Sequence, residues 1–169
     1  EDEFRKAYGS LANRPEALAA LATFELDEQN IAEAVSLYEQ ALRIEPHAVA
    51  ARVNLADVLR RLGEEGRAEE LLREGLALDP VNAALHHALG LSLVRSGEPE
   101  AALVELRQAA EFAPDNARHA YVLGIALNSV GKQTEALQVL HDAQNRFDGN
   151  LDISMALATL LRDSGDRET

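Results

Sequence analysis

Four glycines, Gly63, Gly97, Gly131 and Gly165, stand 34 residues apart along this chain. Three prolines, Pro46, Pro80 and Pro114, keep the same step, as do Asn82, Asn116 and Asn150. Small residues fall into further columns of that period: Ala22, Ala56, Gly90, Gly124 and Ala158; Ala34, Ala68, Ala102 and Ala136; Ala41, Gly75, Ala109 and Ala143. A fixed period of this length marks one supersecondary unit copied end to end, each copy burying a face that its neighbour cannot bury alone.

The unit is read from what lies between the punctuation. Leu85, Leu89, Leu93 and Val94 recur at three- and four-residue steps, and so do Ala102, Leu103, Leu106, Ala109, Ala110 and Phe112. This is helical periodicity, and no strand-like alternation occurs anywhere. Each Gly follows the last apolar residue of a first helix, where a left-handed residue closes a helix at low cost. Each Pro ends a second helix, because it lacks an amide donor and restricts the residue before it. Each Asn precedes the next first helix and is placed to cap its free N–H groups. Pro99 stands at the first position of a second helix, and Glu64, Glu65, Glu98 and Glu100 give such helices the acidic start that suits their dipole. The unit is helix, tight turn, helix, short link. The small columns lie where two antiparallel helices cross closely.

The pattern resembles the tetratricopeptide repeat family. That family's 34-residue unit places Leu-Gly/Ala at positions 7–8, Gly at 15, Ala at 20, an aromatic or Leu at 24, Ala at 27 and Pro at 32; Leu89-Gly90, Gly97, Ala102, Leu106, Ala109 and Pro114 match in that order. Leu55-Ala56, Gly63, Ala68, Leu72, Gly75 and Pro80 match as well. So do Leu21-Ala22, Ala34, Tyr38, Ala41 and Pro46, with Gln29 in place of the turn Gly. A fourth copy has Leu123-Gly124, Gly131, Ala136, Leu140 and Ala143, with Asp148 in place of Pro. The resemblance implies an all-α fold, a right-handed α-solenoid of about ten helices. Its frame divides the chain into four repeats over 15–48, 49–82, 83–116 and 117–150, a preceding second helix over 1–14, and a lone first helix over 151–169. Such arrays normally end in polar capping units. Leu151, Ile153, Leu157, Leu160 and Leu161 instead predict apolar surface at the C-terminal end, and the chain is expected to be a portion excised from a longer protein.

The family's geometry further implies a concave groove lined by the first helices. Carried over position by position, it takes in Val53, Asp57, Arg60 and Arg61 of the second repeat, and His87, Leu91, Val94 and Arg95 of the third. It continues with Tyr121, Ile125 and Asn128 of the fourth, and Met155 and Arg162 of the last helix. The apolar members suggest a docking strip. The arginines suggest an edge for acidic groups, focused against a chain whose net charge is −13. Local pairing is the competing reading, because Asp57 lies three and four residues before Arg60 and Arg61. The positions at which some members clamp a peptide's terminal carboxylate hold Ala19, Thr23, Asn54, Ala84 and Ala88, of which only Asn54 fits. That clamp is not expected.

Composition removes several chemistries. With no cysteine, the chain has no thiol nucleophile, iron–sulfur ligand or zinc thiolate. Sixteen basic against 29 acidic residues argue against a nucleic-acid binder. No apolar run reaches the roughly 20 residues of a membrane helix. The histidines His47, His86, His87, His119 and His141 form no metal motif, and no phosphate-binding loop or nucleophile elbow occurs. The expectation is no catalysis, no cofactor and no metal site. The partner expected is a protein or peptide carrying acidic and apolar side chains. Two alternatives accompany it: a segment that positions a catalytic or redox domain elsewhere in a parent protein, and self-association through the uncapped ends. Arginine richness with only Lys6 and Lys132 as lysines suggests a GC-rich bacterial source; the compartment, cytoplasmic or periplasmic, is left open.

Overall fold

The computed structural model describes residues 14–165, and among these it contains nine α-helices and no strand. They are α1 (Pro15–Asp27), α2 (Ile31–Ile44), α3 (Val49–Arg61), α4 (Glu65–Leu78), α5 (Ala83–Arg95), α6 (Pro99–Phe112), α7 (Ala117–Ser129), α8 (Gln133–Arg146) and α9 (Leu151–Gly165). Residues 1–13, and with them the helix expected ahead of α1, lie outside the described residues. The helices belong to two compact units, Glu1–Pro80 and Val81–Thr169.

The turns follow from the glycine column. Gly63, Gly97 and Gly131 have φ of 76°, 77° and 79°. The residue after each returns its amide to the preceding helix: Glu64 N to Leu59 O, Glu98 N to Leu93 O and Lys132 N to Leu127 O, each at 2.9 Å. This closure satisfies carbonyls that a bare helix end would leave open. Gln29 makes the same turn with φ of 63° and the same bond, Asn30 N to Glu25 O at 2.7 Å. The asparagine column caps as its position predicts. Asn82, Asn116 and Asn150 accept from Leu85 N (3.2 Å), Arg118 N (3.1 Å) and Ile153 N (3.1 Å) through their side-chain oxygens. Ala48, at the matching place before α3, offers no side-chain cap.

In the first unit α1 packs on α2, α2 on α3 and α3 on α4. Its interior holds Ala22, Tyr38, Ala41, Leu55, Ala56 and Leu72. The Tyr38 hydroxyl is satisfied by Thr23 Oγ1 at 2.9 Å. Arg52 is buried and ties three segments together. It donates to Pro46 O in the α2–α3 link (2.9 Å) and to Leu71 O in α4 (2.8 Å), and it pairs with Glu74 at 3.3 Å.

In the second unit α5 packs on α6, α6 on α7, α7 on α8, and α9 on both α7 and α8. Leu106, Leu127, Leu140 and Ile153 are fully buried. The apolar surface expected along α9 is narrower than the sequence suggests. Ile153 and Leu160 are covered, because α9 turns that face onto α7 and α8. Leu151 and Leu161 remain 69% and 54% exposed.

Candidate partner-binding face

First helices supply the candidate residues, and each unit presents its own set. In the first unit Val53 and Asp57 are half-buried on α3. Asp57 takes both arginines that follow it: Arg60, whose side chain is 8% exposed, and Arg61, at 2.8 Å and 72% exposed. Burial pushes the Asp57 carboxyl up, but hydrogen bonds and charge from Arg60 and Arg61 outweigh it and hold the group below the usual carboxylate range. Of the two competing readings for these arginines, the structure exhibits local pairing. An acidic guest at Arg61 would have to compete with Asp57.

The second unit is less self-satisfied. Its candidates sit on α5, α7 and α9. His87 and Leu91 are half-buried on α5, while Val94 (46% exposed) and Arg95 face solvent. Tyr121 is half-buried on α7 and packs against the core, so part of its ring is structural. Ile125 is 39% exposed, and Asn128 is exposed beyond it. Met155 on α9 is 60% exposed. Arg162 pairs with its neighbour Asp163 at 3.0 Å. Arg95 forms no ion pair with a described residue, which distinguishes it from Arg60, Arg61 and Arg162.

Tyr121 opens onto a cleft of about 680 Å³ between the N-terminal ends of α7 and α9, shared with Asp115, Arg118, Asn150 and Asp152. A second concavity, of about 630 Å³, lies in the first unit among α2, α3 and α4, floored by Leu42, Leu55 and Leu71 and rimmed by Arg43, Glu70 and Glu74. Reasoning from first-helix positions alone missed it. The signal available was Leu42 and Leu71 on second helices, which the repeat pattern does not separate from core leucines.

Sequence reasoning also missed the role of the histidines. His87 on α5 stacks on His119 on α7, with ring centroids 4.7 Å apart and planes 25° apart. His86 turns the other way and meets Glu105 on α6 at 2.6 Å. No group of three His, Cys, Asp or Glu side chains among the described residues has metal-holding geometry. No described helix is long and apolar enough to cross a membrane.

Comparison with known proteins agrees with this architecture. Two family models, each described as tetratricopeptide repeat, match residues 25–91 and 87–151. A search of curated protein sequences finds no match. Among solved structures, the chain is similar to TTC0263, a thermophilic tetratricopeptide repeat protein of Thermus thermophilus. Identity is 24% and TM-score 0.78, over 94% of this chain and 87% of that one. It is similar to MamA at 19% identity and TM-score 0.73, over 91% and 84% of the two chains. It is also similar to YrrB, described as having an unusual peptide-binding site, at 21% identity and TM-score 0.69 over 98% and 85%. At these identities the likeness is one of fold. With nine helices and no strand among the described residues, glycine-closed turns and two matching family models, the chain belongs to the tetratricopeptide repeat family.

Proposed function

We propose that the chain is a non-catalytic scaffold that binds a protein or peptide segment on the first helices of its second unit. The observation that carries this reading is the exposure of Val94, Ile125 and Met155 on α5, α7 and α9. Apolar side chains left in water on the inward positions of a repeat array are what a partner's apolar groups would cover. Arg95, which pairs with no carboxylate among the described residues, supplies a site for an acidic group at the edge. YrrB, a protein of similar fold, has an unusual peptide-binding site, which supports a peptide guest here.

The test is selection of binders from a random peptide library against the full chain, followed by affinity measurement on variants. Ile125→Asp with Met155→Asp, and separately Arg95→Glu, should each weaken a selected peptide at least tenfold while helicity is unchanged. Peptides that bind all three proteins equally would retire this face. A second reading, self-association through α9, is favoured by the exposure of Leu151 and Leu161. Light scattering over a concentration series decides it: a mass that stays monomeric removes it.

A further inference from the structure

His119 is 6% exposed and occupies the third residue of α7. Its Nδ1 lies 2.9 Å from the Ala109 carbonyl oxygen in the last turn of α6. A carbonyl only accepts, so Nδ1 carries the hydrogen. The lone pair then sits on Nε2, where the Asn116 side-chain nitrogen approaches at 3.3 Å. Asn116 can donate there because its oxygen is already committed to Arg118 N, capping α7. These three contacts are mutually consistent for one species only, the neutral Nδ1–H imidazole.

A proton on Nε2 reverses that consistency. The new N–H points at the Asn116 amide nitrogen, donor against donor. Rotating the amide to offer its oxygen would uncap α7. The charge would also lie at a helix N-terminus, where the dipole repels cations, and against the stacked ring of His87. We propose that the His87–His119 stack is a proton-operated latch in the second unit, closed while His119 is neutral and released when it is protonated, loosening α5 against α7.

The surrounding charges do not offset this. Arg118 on α7 adds repulsion. α5 carries no carboxylate; on α6 Glu105 is engaged by His86, and Glu111, which shares a groove with Asn116, accepts from Gln108 of its own helix. Asp142 and Arg146 on α8 share a groove with Asn116, and Arg146 is turned to Pro114 O at 2.8 Å. Asp152 on α9 lines the cleft beyond Arg118. Burial pushes the His119 imidazole down, its bond to the Ala109 carbonyl works the other way, and Arg118 lowers it further, leaving it below its ordinary value. The sign follows. An unfolded histidine takes up a proton near pH 6.5, and the folded one resists it. The unfolded or opened state therefore binds more protons just below that pH, and the closed state loses stability as pH falls through the window. Above about pH 7 the term vanishes.

Whether the latch governs partner access rests on the binding face proposed above, because His87 and Leu91 lie on α5 and Tyr121 and Ile125 on α7. The latch itself is tested without a partner. Amide hydrogen exchange of the full chain, corrected for intrinsic rates, is compared at about pH 7.5 and about pH 5.5, either side of the histidine range. Amides of α5 and the first turn of α7 should open at least fivefold more at the lower pH, with α1–α4 of the first unit as internal control. His119→Gln should abolish the difference. If that variant folds poorly, Asn116→Ser keeps a capping oxygen and can accept from a protonated Nε2, and it should hold the latch closed at the lower pH. Uniform acid loosening of both units, or a full pH response in either variant, would overturn the latch. A selected peptide that binds well but equally at both pH values would leave the face standing and sever it from the latch.

Discussion

Gly124 on α7 lies so close to Leu140 on α8 that a methyl group on its Cα would sit 2.6 Å from Leu140 Cγ. Leu140 is fully buried and cannot step aside. The same relation recurs one repeat earlier, where a methyl on Gly90 would meet Leu106 Cγ at 2.7 Å and the Ala102 carbonyl oxygen at 3.3 Å. Alanine is the better helix former by about 1 kcal/mol, but overpacking a tight core costs about 1–3 kcal/mol. Gly124→Ala is therefore expected to destabilise by about 1 kcal/mol net. Gly90→Ala should cost more, since one of its obstacles is backbone. Urea unfolding of both variants checks the sign and the order; a gain in stability at either site would show that the helices can part.

Gln29 adopts φ of 63° at the turn that glycine occupies in the next three repeats. A side chain in the left-handed region costs about 1 kcal/mol or more. Gln29→Gly should raise stability by about 1 kcal/mol, reduced slightly by the greater freedom glycine gives the unfolded chain. The converse change, Gly97→Gln, should cost a similar amount. Hydrogen exchange of α1 and α2 localises the first effect, and equal protection in Gln29→Gly and the parent would contradict it.

The repeat period makes the turns, caps and helix order legible in the sequence. Gly63, Gly97 and Gly131 are left-handed where the column put them, and Asn82, Asn116 and Asn150 cap where theirs did. What the period could not carry is any contact joining unlike positions of successive repeats. His87 and His119 are 32 residues apart, so no column contains both. Arg52 sits at a place that holds Leu18, His86, Ala120 and Ser154 in the other repeats, and a charge there reads as surface until its partners are seen. The candidate face was legible as a set of positions. Its electrostatics were not, because Asp57 claims Arg60 and Arg61 through rotamers that spacing permits but does not compel.

Ser92 on α5 is fully buried, and its hydroxyl has no hydrogen-bond partner among the described residues. A buried hydroxyl without a partner costs about 1–3 kcal/mol. The cavity left by an oxygen-to-hydrogen change is small. Ser92→Ala should accordingly stabilise the second unit by about 1 kcal/mol or more, beyond the roughly 0.5 kcal/mol expected from helix propensity alone. Urea unfolding measures it. A loss of stability would mean that the hydroxyl is solvated by water in the native protein.

Arg52 presents the opposite case, a buried charge with partners for both terminal nitrogens. It is 5% exposed, donates to Pro46 O and Leu71 O at 2.9 and 2.8 Å, and meets Glu74 at 3.3 Å. Glu74 itself is largely in water, with its side chain 62% exposed, so the ion pair contributes little. The weight falls on the two carbonyls, which Arg52 bridges between the α2–α3 link and α4. Arg52→Met keeps the apolar stem but removes the bonds to both carbonyls and the tie between the link and α4, a loss of about 2–4 kcal/mol. Glu74→Gln should change stability by less than about 0.5 kcal/mol. Comparing the two variants by urea unfolding separates bridging from charge pairing. If Glu74→Gln proved the more damaging, the ion pair would hold the first unit together instead of the carbonyl bridge.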